Sequence, residues 1–212
     1  MGGGSSFVAV AGMIFGAAIS LLLTSVGLSQ LARRDEAGVR LRLISALAGG
    51  LAGAAAVATS HRVDVWELAP ALLFWGCALV AAATCDAVTQ RIPTPLVRQA
   101  AVATVVLLSI GLAAHGDWTG LVLSGVGSIA AGLTMTVCWR FAGAGFGDVR
   151  LAVLGGLGLG HATYEGLVAG LAAVAATTVV LAAVALARGS NRKTMIPYGP
   201  ALVAGFLIAA AL

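Results

Sequence analysis

Apolar residues run through this chain in long stretches broken by short polar segments, and the lengths of those stretches set its architecture. About 20 helical residues, rising ~1.5 Å each, cross a hydrocarbon core of roughly 30 Å. Measured this way, the pattern predicts eight spans. The first covers 7 to 31 and is followed by a charged loop, Ala32 to Arg42; the second covers 43 to 60. A polar connection from His61 to Glu67 leads to the third span, 68 to 87, which ends on Asp86. Arg91-Ile92-Pro93-Thr94-Pro95 then forms a short bent loop, since two prolines forbid a continuous helix. The fourth span runs from 97 to 114, His115 to Asp117 turn the chain, and the fifth occupies 119 to 138, with Trp139 to Gly147 as a loop. The sixth opens near Asp148 and is short, because His161 to Glu165 interrupt it after about a dozen residues. The seventh covers 166 to 187, a basic loop runs from Arg188 to Lys193, and Ile196 to Pro200 open a last short run ending at Leu212. The expected fold is all-α, a polytopic integral membrane protein of about eight transmembrane helices forming one domain over 1–212.

Composition agrees: 60% of the 212 residues are hydrophobic and 9% charged, with a mean hydropathy of +1.03, which excludes an ordinary soluble domain. The 29 glycines suit close helix packing in lipid. Gly49 and Gly53, and again Gly156 and Gly160, have GxxxG spacing, but in so glycine-rich a chain each match is read as coincidence. The net charge of +4 is scattered in small clusters rather than gathered in a patch, so no nucleic-acid partner is expected. Those clusters act as topology signals. Arg33, Arg34, Arg40, Arg42, Arg91, Arg98, Arg140, Arg150, Arg188, Arg192 and Lys193 fall on one side of an eight-span layout and Arg62 alone on the other. The basic side is the cytoplasmic one, and both termini then face outward. Gly-Gly-Gly-Ser-Ser precedes the first apolar run in place of a basic segment, so that run is read as a retained span. Cys77, Cys85 and Cys138 form no CxxC pair and have no histidine at ligand spacing, so neither metal, disulfide nor other cofactor is expected.

Two carboxylates stand out, because charge at the end of an apolar span is costly. Asp86 closes the third span, and Asp148 opens the sixth within Gly145-Phe146-Gly147-Asp148. The topology sets both at the inner membrane face at similar depth, where they can meet. Two carboxylates a few ångströms apart share one proton near neutral pH, which places an acid beside a base. One can take a proton from a water attacking a peptide carbonyl while the other donates to the carbonyl oxygen, the roles belonging to the pair. Gly145 and Gly147 lack a Cβ and can adopt backbone conformations closed to other residues, which would allow a substrate backbone close to Asp148. A plainer alternative stands beside this: each aspartate is solvated at the interface or paired with Arg91 or Arg150. His61, His115 and His161 are read as surface residues of outward loops, and Tyr164, Glu165 and the tryptophans near span ends as interfacial anchors.

Three segments together resemble the type IV prepilin peptidases, polytopic aspartic proteases of the GxGD kind. Asp86 with Arg91-Ile92-Pro93 is similar to that family's first aspartate motif, Gly145-Phe146-Gly147-Asp148-Val149-Arg150 to its GxGD motif, and Ile196-Pro197-Tyr198-Gly199-Pro200 to the element that begins its last helix. The resemblance implies Asp86 and Asp148 as catalytic, with Arg91, Ile92, Pro93, Gly145, Gly147 and Arg150 supporting the loops or meeting substrate. It also implies removal of a short basic leader from prepilins or pilin-like secretion subunits at the cytoplasmic face of a bacterial inner membrane. Thr94 stands where the family commonly has Asn, and Arg150 where it has Lys. The cysteine-bearing cytoplasmic insertion that larger members use for N-methylation is missing after the first span. The expectation is therefore a peptidase without methyltransferase, of the sort that processes Flp/Tad-type pilins. Three rivals remain: a presenilin-like GxGD protease, given Pro200-Ala201-Leu202; a small transporter using the aspartates as a proton or cation site; and a silent assembly component. Oligomeric state is left open.

Overall fold

Residues 3–32, 38–142, 144–187 and 197–212 are described by the computed structural model. Within them the chain forms α1 (Gly3–Gln30), α2 (Val39–Arg62), α3 (Ala69–Thr89), α4 (Thr94–His115), α5 (Trp118–Ala142), α6 (Phe146–Leu157), α7 (Tyr164–Ala187) and α8 (Gly199–Ala211), with a single 3-10 turn at Trp66–Leu68. No strand occurs among the described residues. Six helices, α1 to α5 and α7, are long and apolar enough to cross a membrane. The molecule is an all-α polytopic membrane protein. The expected sixth and eighth spans are short helices of 12 and 13 residues. Arg33, Arg34, Arg188, Arg192, Lys193 and Ile196, which entered the topology and motif arguments, lie outside the described residues.

Several expected boundaries shift outward. Trp139 to Ala142 belong to α5 rather than to a loop, because a basic residue in a last turn, here Arg140, favours the helix C-terminus. Likewise α2 continues through His61 and Arg62 into what the polarity pattern marks as a connection. Polar residues end the apolar run one turn before the backbone hydrogen bonds end.

The GxxxG spacings are not coincidental. A Cβ on Gly53 would strike the carbonyl oxygen of Gly12, and one on Gly49 would lie 2.5 Å from that of Gly16, so α1 and α2 touch backbone to backbone. Gly156 and Gly160 play the same part against α5: a Cβ on Gly156 would lie 2.6 Å from Ser128 Cα, and one on Gly160 2.6 Å from the Gly120 carbonyl oxygen. In lipid, such close approach and interhelical hydrogen bonds replace the hydrophobic drive. Ser45 Oγ accordingly meets Ser20 Oγ at 2.9 Å and Thr24 Oγ1 at 2.8 Å between the first two helices.

The centre of the bundle is α3, buried along most of its length and touched by α1, α2, α4, α6 and α8. By contrast α7 packs chiefly on α8 and is otherwise open to lipid. Short as they are, α6 and α8 still join the two ends of the bundle. From Asp148 the chain runs through α6 to His161, whose imidazole lies 3.2 Å from Asp117 at the start of α5. From Gly199, α8 reaches Ala210, whose carbonyl accepts from Thr59 at 3.0 Å and from Arg62 at 3.2 Å. Arg62 also donates to the His161 carbonyl at 3.2 Å. His161 is thus half-buried in a polar knot of four elements, a correction to its reading as a surface residue.

Two outcomes are expected from this packing. Gly53→Val forces α2 off Gly12 and should cost about 1–3 kcal/mol in a reversible unfolding assay in micelles, while Gly125→Ala, where an added Cβ meets nothing within 4 Å, should leave stability nearly unchanged. Burial holds the His161 imidazole below its ordinary value; Asp117 opposes this shift and Arg62 adds to it. A histidine so depressed binds fewer protons folded than unfolded, so its contribution is full above roughly pH 6.5 and declines as the pH falls below that. Thermal scans between about pH 8 and pH 5 should show that decline in the wild type and a flatter profile in His161→Asn.

Candidate active site

Asp86 lies one turn before the end of α3. The helix stops because Gln90 adopts the left-handed conformation, φ 53° and ψ 31°, and its N–H caps the Asp86 carbonyl. Arg91, Ile92 and Pro93 then lead directly into α4, with Pro93 fully buried as the extended residue before it and Pro95 in its first turn. The loop is short and bent, as its prolines require. Its far side is held from α1: the Gln30 side-chain oxygen accepts the Leu96 N–H at 3.0 Å, and a Cβ on Gly27 would lie 3.3 Å from the Pro93 ring.

Asp148 is the third residue of α6. Its Oδ2 accepts the Gly145 N–H at 3.0 Å, and its own N–H donates to the Gly145 carbonyl at 3.0 Å. A carboxylate there closes the first turn and complements the positive end of the helix. The glycines do not use their conformational freedom. Gly145 is extended, φ −73° and ψ 146°, and Gly147 is helical, conformations open to any residue. What matters is space: a Cβ on Gly147 would lie 3.2 Å from Ile92 Cβ, and one on Gly145 would lie 3.2 Å from Asp148 Oδ2. Gly147 therefore lets the Arg-Ile-Pro loop seat directly on the Gly-Phe-Gly-Asp turn.

A third element completes the arrangement. The Gly199 N–H, at the start of α8, donates to Asp86 Oδ2 at 3.0 Å in a buried bond. Sequence reasoning noted Tyr198-Gly199-Pro200 only as a resemblance and did not assign Gly199 to the site. A glycine-proline step at the head of a final apolar run was the available signal, but nothing local to it points to Asp86. Asp86 and Asp148 are 6% and 7% exposed.

The arginines do not neutralise them. Among the described residues neither aspartate is paired with Arg91 or Arg150. Arg91 is exposed, while Arg150 donates to Thr94 Oγ1 and places its guanidinium 4.8 Å from the Phe146 ring centre. Thr94 and Arg150, the two departures from the prepilin-peptidase pattern, thus contact one another and tie α4 to α6.

Alongside Asp86, an apolar groove of about 480 Å³ runs between α2 and α8 over α3. Ala83, Thr84 and Ala87 line it from α3, Leu51 from α2, and Pro200 and Leu207 from α8. Two buried carboxyl groups that share one proton can serve as acid and base towards a water and a polarised carbonyl.

The relative height of α3 and α6 depends on Trp75, whose indole N–H donates to the Leu154 carbonyl at 2.8 Å. Leu154 lies in the last turn of α6, where carbonyls lack helical partners. Trp75→Phe keeps an aromatic side chain but removes the indole N–H, stranding that carbonyl, along with part of the ring volume, and unfolding measurements in micelles should show a loss of about 1–3 kcal/mol. Searches of protein-family models, curated proteins and solved structures with this chain returned no match.

Proposed function

We propose that the chain is a membrane-embedded aspartic endopeptidase that removes the short basic leader of type IV, Flp/Tad-like prepilins or pilin-like secretion subunits at the cytoplasmic face of a bacterial inner membrane. One observation carries this reading: the Arg-Ile-Pro loop, the Gly-Phe-Gly-Asp turn and the head of α8 converge on one pair of buried aspartates, through Ile92 against Gly147 and the Gly199 N–H on Asp86. An aspartate kept only for topology needs no such partners. Charge distribution supports the orientation. Arg40, Arg42, Arg98, Arg140 and Arg150 stand at the Asp86 and Asp148 end of their helices, Arg91 lies in the loop after α3 at that same end, and Arg62 stands at the opposite end.

In this mechanism one carboxylate of the pair accepts a proton from water as its oxygen attacks the scissile carbonyl carbon. The protonated partner donates to the carbonyl oxygen; as the resulting gem-diol collapses, the carboxyl group that took the water proton passes it to the leaving nitrogen, the partner carboxylate takes a proton back from a diol hydroxyl, and the C–N bond breaks to release the amine of the mature pilin and the carboxyl terminus of the leader. The groove beside Asp86 has the apolar lining that a membrane-inserted substrate segment requires.

Co-expression with a Flp-type prepilin, read by the mobility shift on leader removal and by mass spectrometry of the new N-terminus, tests the proposal. Asp86→Asn and Asp148→Asn should each lower processing by at least about 10²-fold, and the released N-terminus should carry no methyl group. Full processing in either variant would sink the dyad. Ion-coupled uptake by reconstituted protein, without processing, would establish the transporter instead.

A further inference from the structure

The amide of Gly199 is one of the first-turn donors of α8 that no helical carbonyl can reach. Pro200 has no N–H, and the Leu202 N–H already bonds the Tyr198 carbonyl. A buried donor without an acceptor is costly. Asp86 Oδ2 is the acceptor, at 3.0 Å. The approach is possible only because residue 199 lacks a side chain: a Cβ there would lie 2.8 Å from Asp86 Oδ2, 3.1 Å from its Cβ and 3.2 Å from its Cγ. Any other residue would push the carboxyl group itself.

We propose that Gly199 is a positioning residue for Asp86. Its backbone N–H holds Oδ2 and fixes the plane of the carboxyl group, so that Oδ1 is the oxygen presented for proton exchange. The two aspartates are then held alike, each by one oxygen on the backbone N–H of a glycine at the head of a helix: Gly145 for Asp148, Gly199 for Asp86. The bond also makes the height of α8 on α3 a determinant of catalytic geometry. Further along α8 the close contact is with α7 instead: a Cβ on Gly205 would lie 2.8 Å from the Gly170 carbonyl oxygen.

The amide can be observed directly. The chain has two tyrosines, Tyr164 followed by Glu165 and Tyr198 followed by Gly199, so carbonyl-13C tyrosine with 15N glycine labels a single peptide bond. In the full chain in nanodiscs that one resonance should exchange with solvent at least tenfold faster in Asp86→Ala than in the wild type; equal exchange would overturn the proposal. This arm needs no enzymatic activity, so it stands or falls apart from the peptidase reading. The kinetic arm rests on that reading. With the prepilin as substrate, Gly199→Ala should lower kcat at least tenfold with KM within twofold, while Gly205→Ala, which disturbs the packing of α7 on α8 without touching Asp86, should lower thermal stability and keep kcat within twofold. Equal kcat losses in the two variants would reduce Gly199 to a packing residue and overturn the proposal.

Discussion

The absence of water in a bilayer governs this structure. Helices in lipid gain little from bringing apolar faces together, so their association rests on close backbone approach and on polar groups that satisfy one another. Gly12, Gly16, Gly49 and Gly53 give the first, and Ser20, Thr24 and Ser45 the second, within a single helix pair. That pair, with α4, α6 and α8, encloses α3 so completely that an aspartate near its end is withdrawn from solvent.

The same constraint explains the conformation of the candidate site. Donors at helix heads and acceptors at helix ends must be satisfied inside the protein, and here each is satisfied by a residue of another element or of the adjoining turn. Gly199 N–H meets Asp86, Gly145 N–H meets Asp148, and Trp75 meets the Leu154 carbonyl. The first and the last of these bonds also fix one helix relative to another, α8 on α3 and α3 on α6, while the second closes the first turn of α6, so the setting of the two carboxylates follows from the rules that keep the bundle together. At the opposite end Arg62 does the same for the His161 and Ala210 carbonyls, tying α2 to α8 and to the turn after α6. The proposed peptidase chemistry thus draws on contacts that the fold already needs.

Much of the architecture was legible in the chain. Hydropathy located the six long helices, because a span must be both apolar and about as long as the membrane is thick, and it marked α6 and α8 as short apolar runs. The proline pair after Asp86 marked the sharp turn between α3 and α4, since proline excludes a helical continuation whatever surrounds it. Less legible were the ends of helices, where backbone bonding at Trp139 to Ala142 outlasted the apolar run, and the role of the glycines. Gly145 and Gly147 suggested unusual backbone angles; the fold uses their lack of a Cβ, which at Gly147 depends on where Ile92 lies and at Gly145 on the Asp148 carboxyl group.

Local sequence therefore decided where the helices are and which two carboxylates had no business in an apolar segment, because hydrophobic length and the cost of charge act residue by residue. Tertiary structure alone decided that Gly199 serves Asp86 across 113 residues, that Thr94 meets Arg150, and that His161 is drawn into a polar knot rather than left on the surface. Contacts of that kind depend on the relative height and rotation of packed helices. Those are set by the shapes of many small residues acting together, and no single stretch of the chain carries that information.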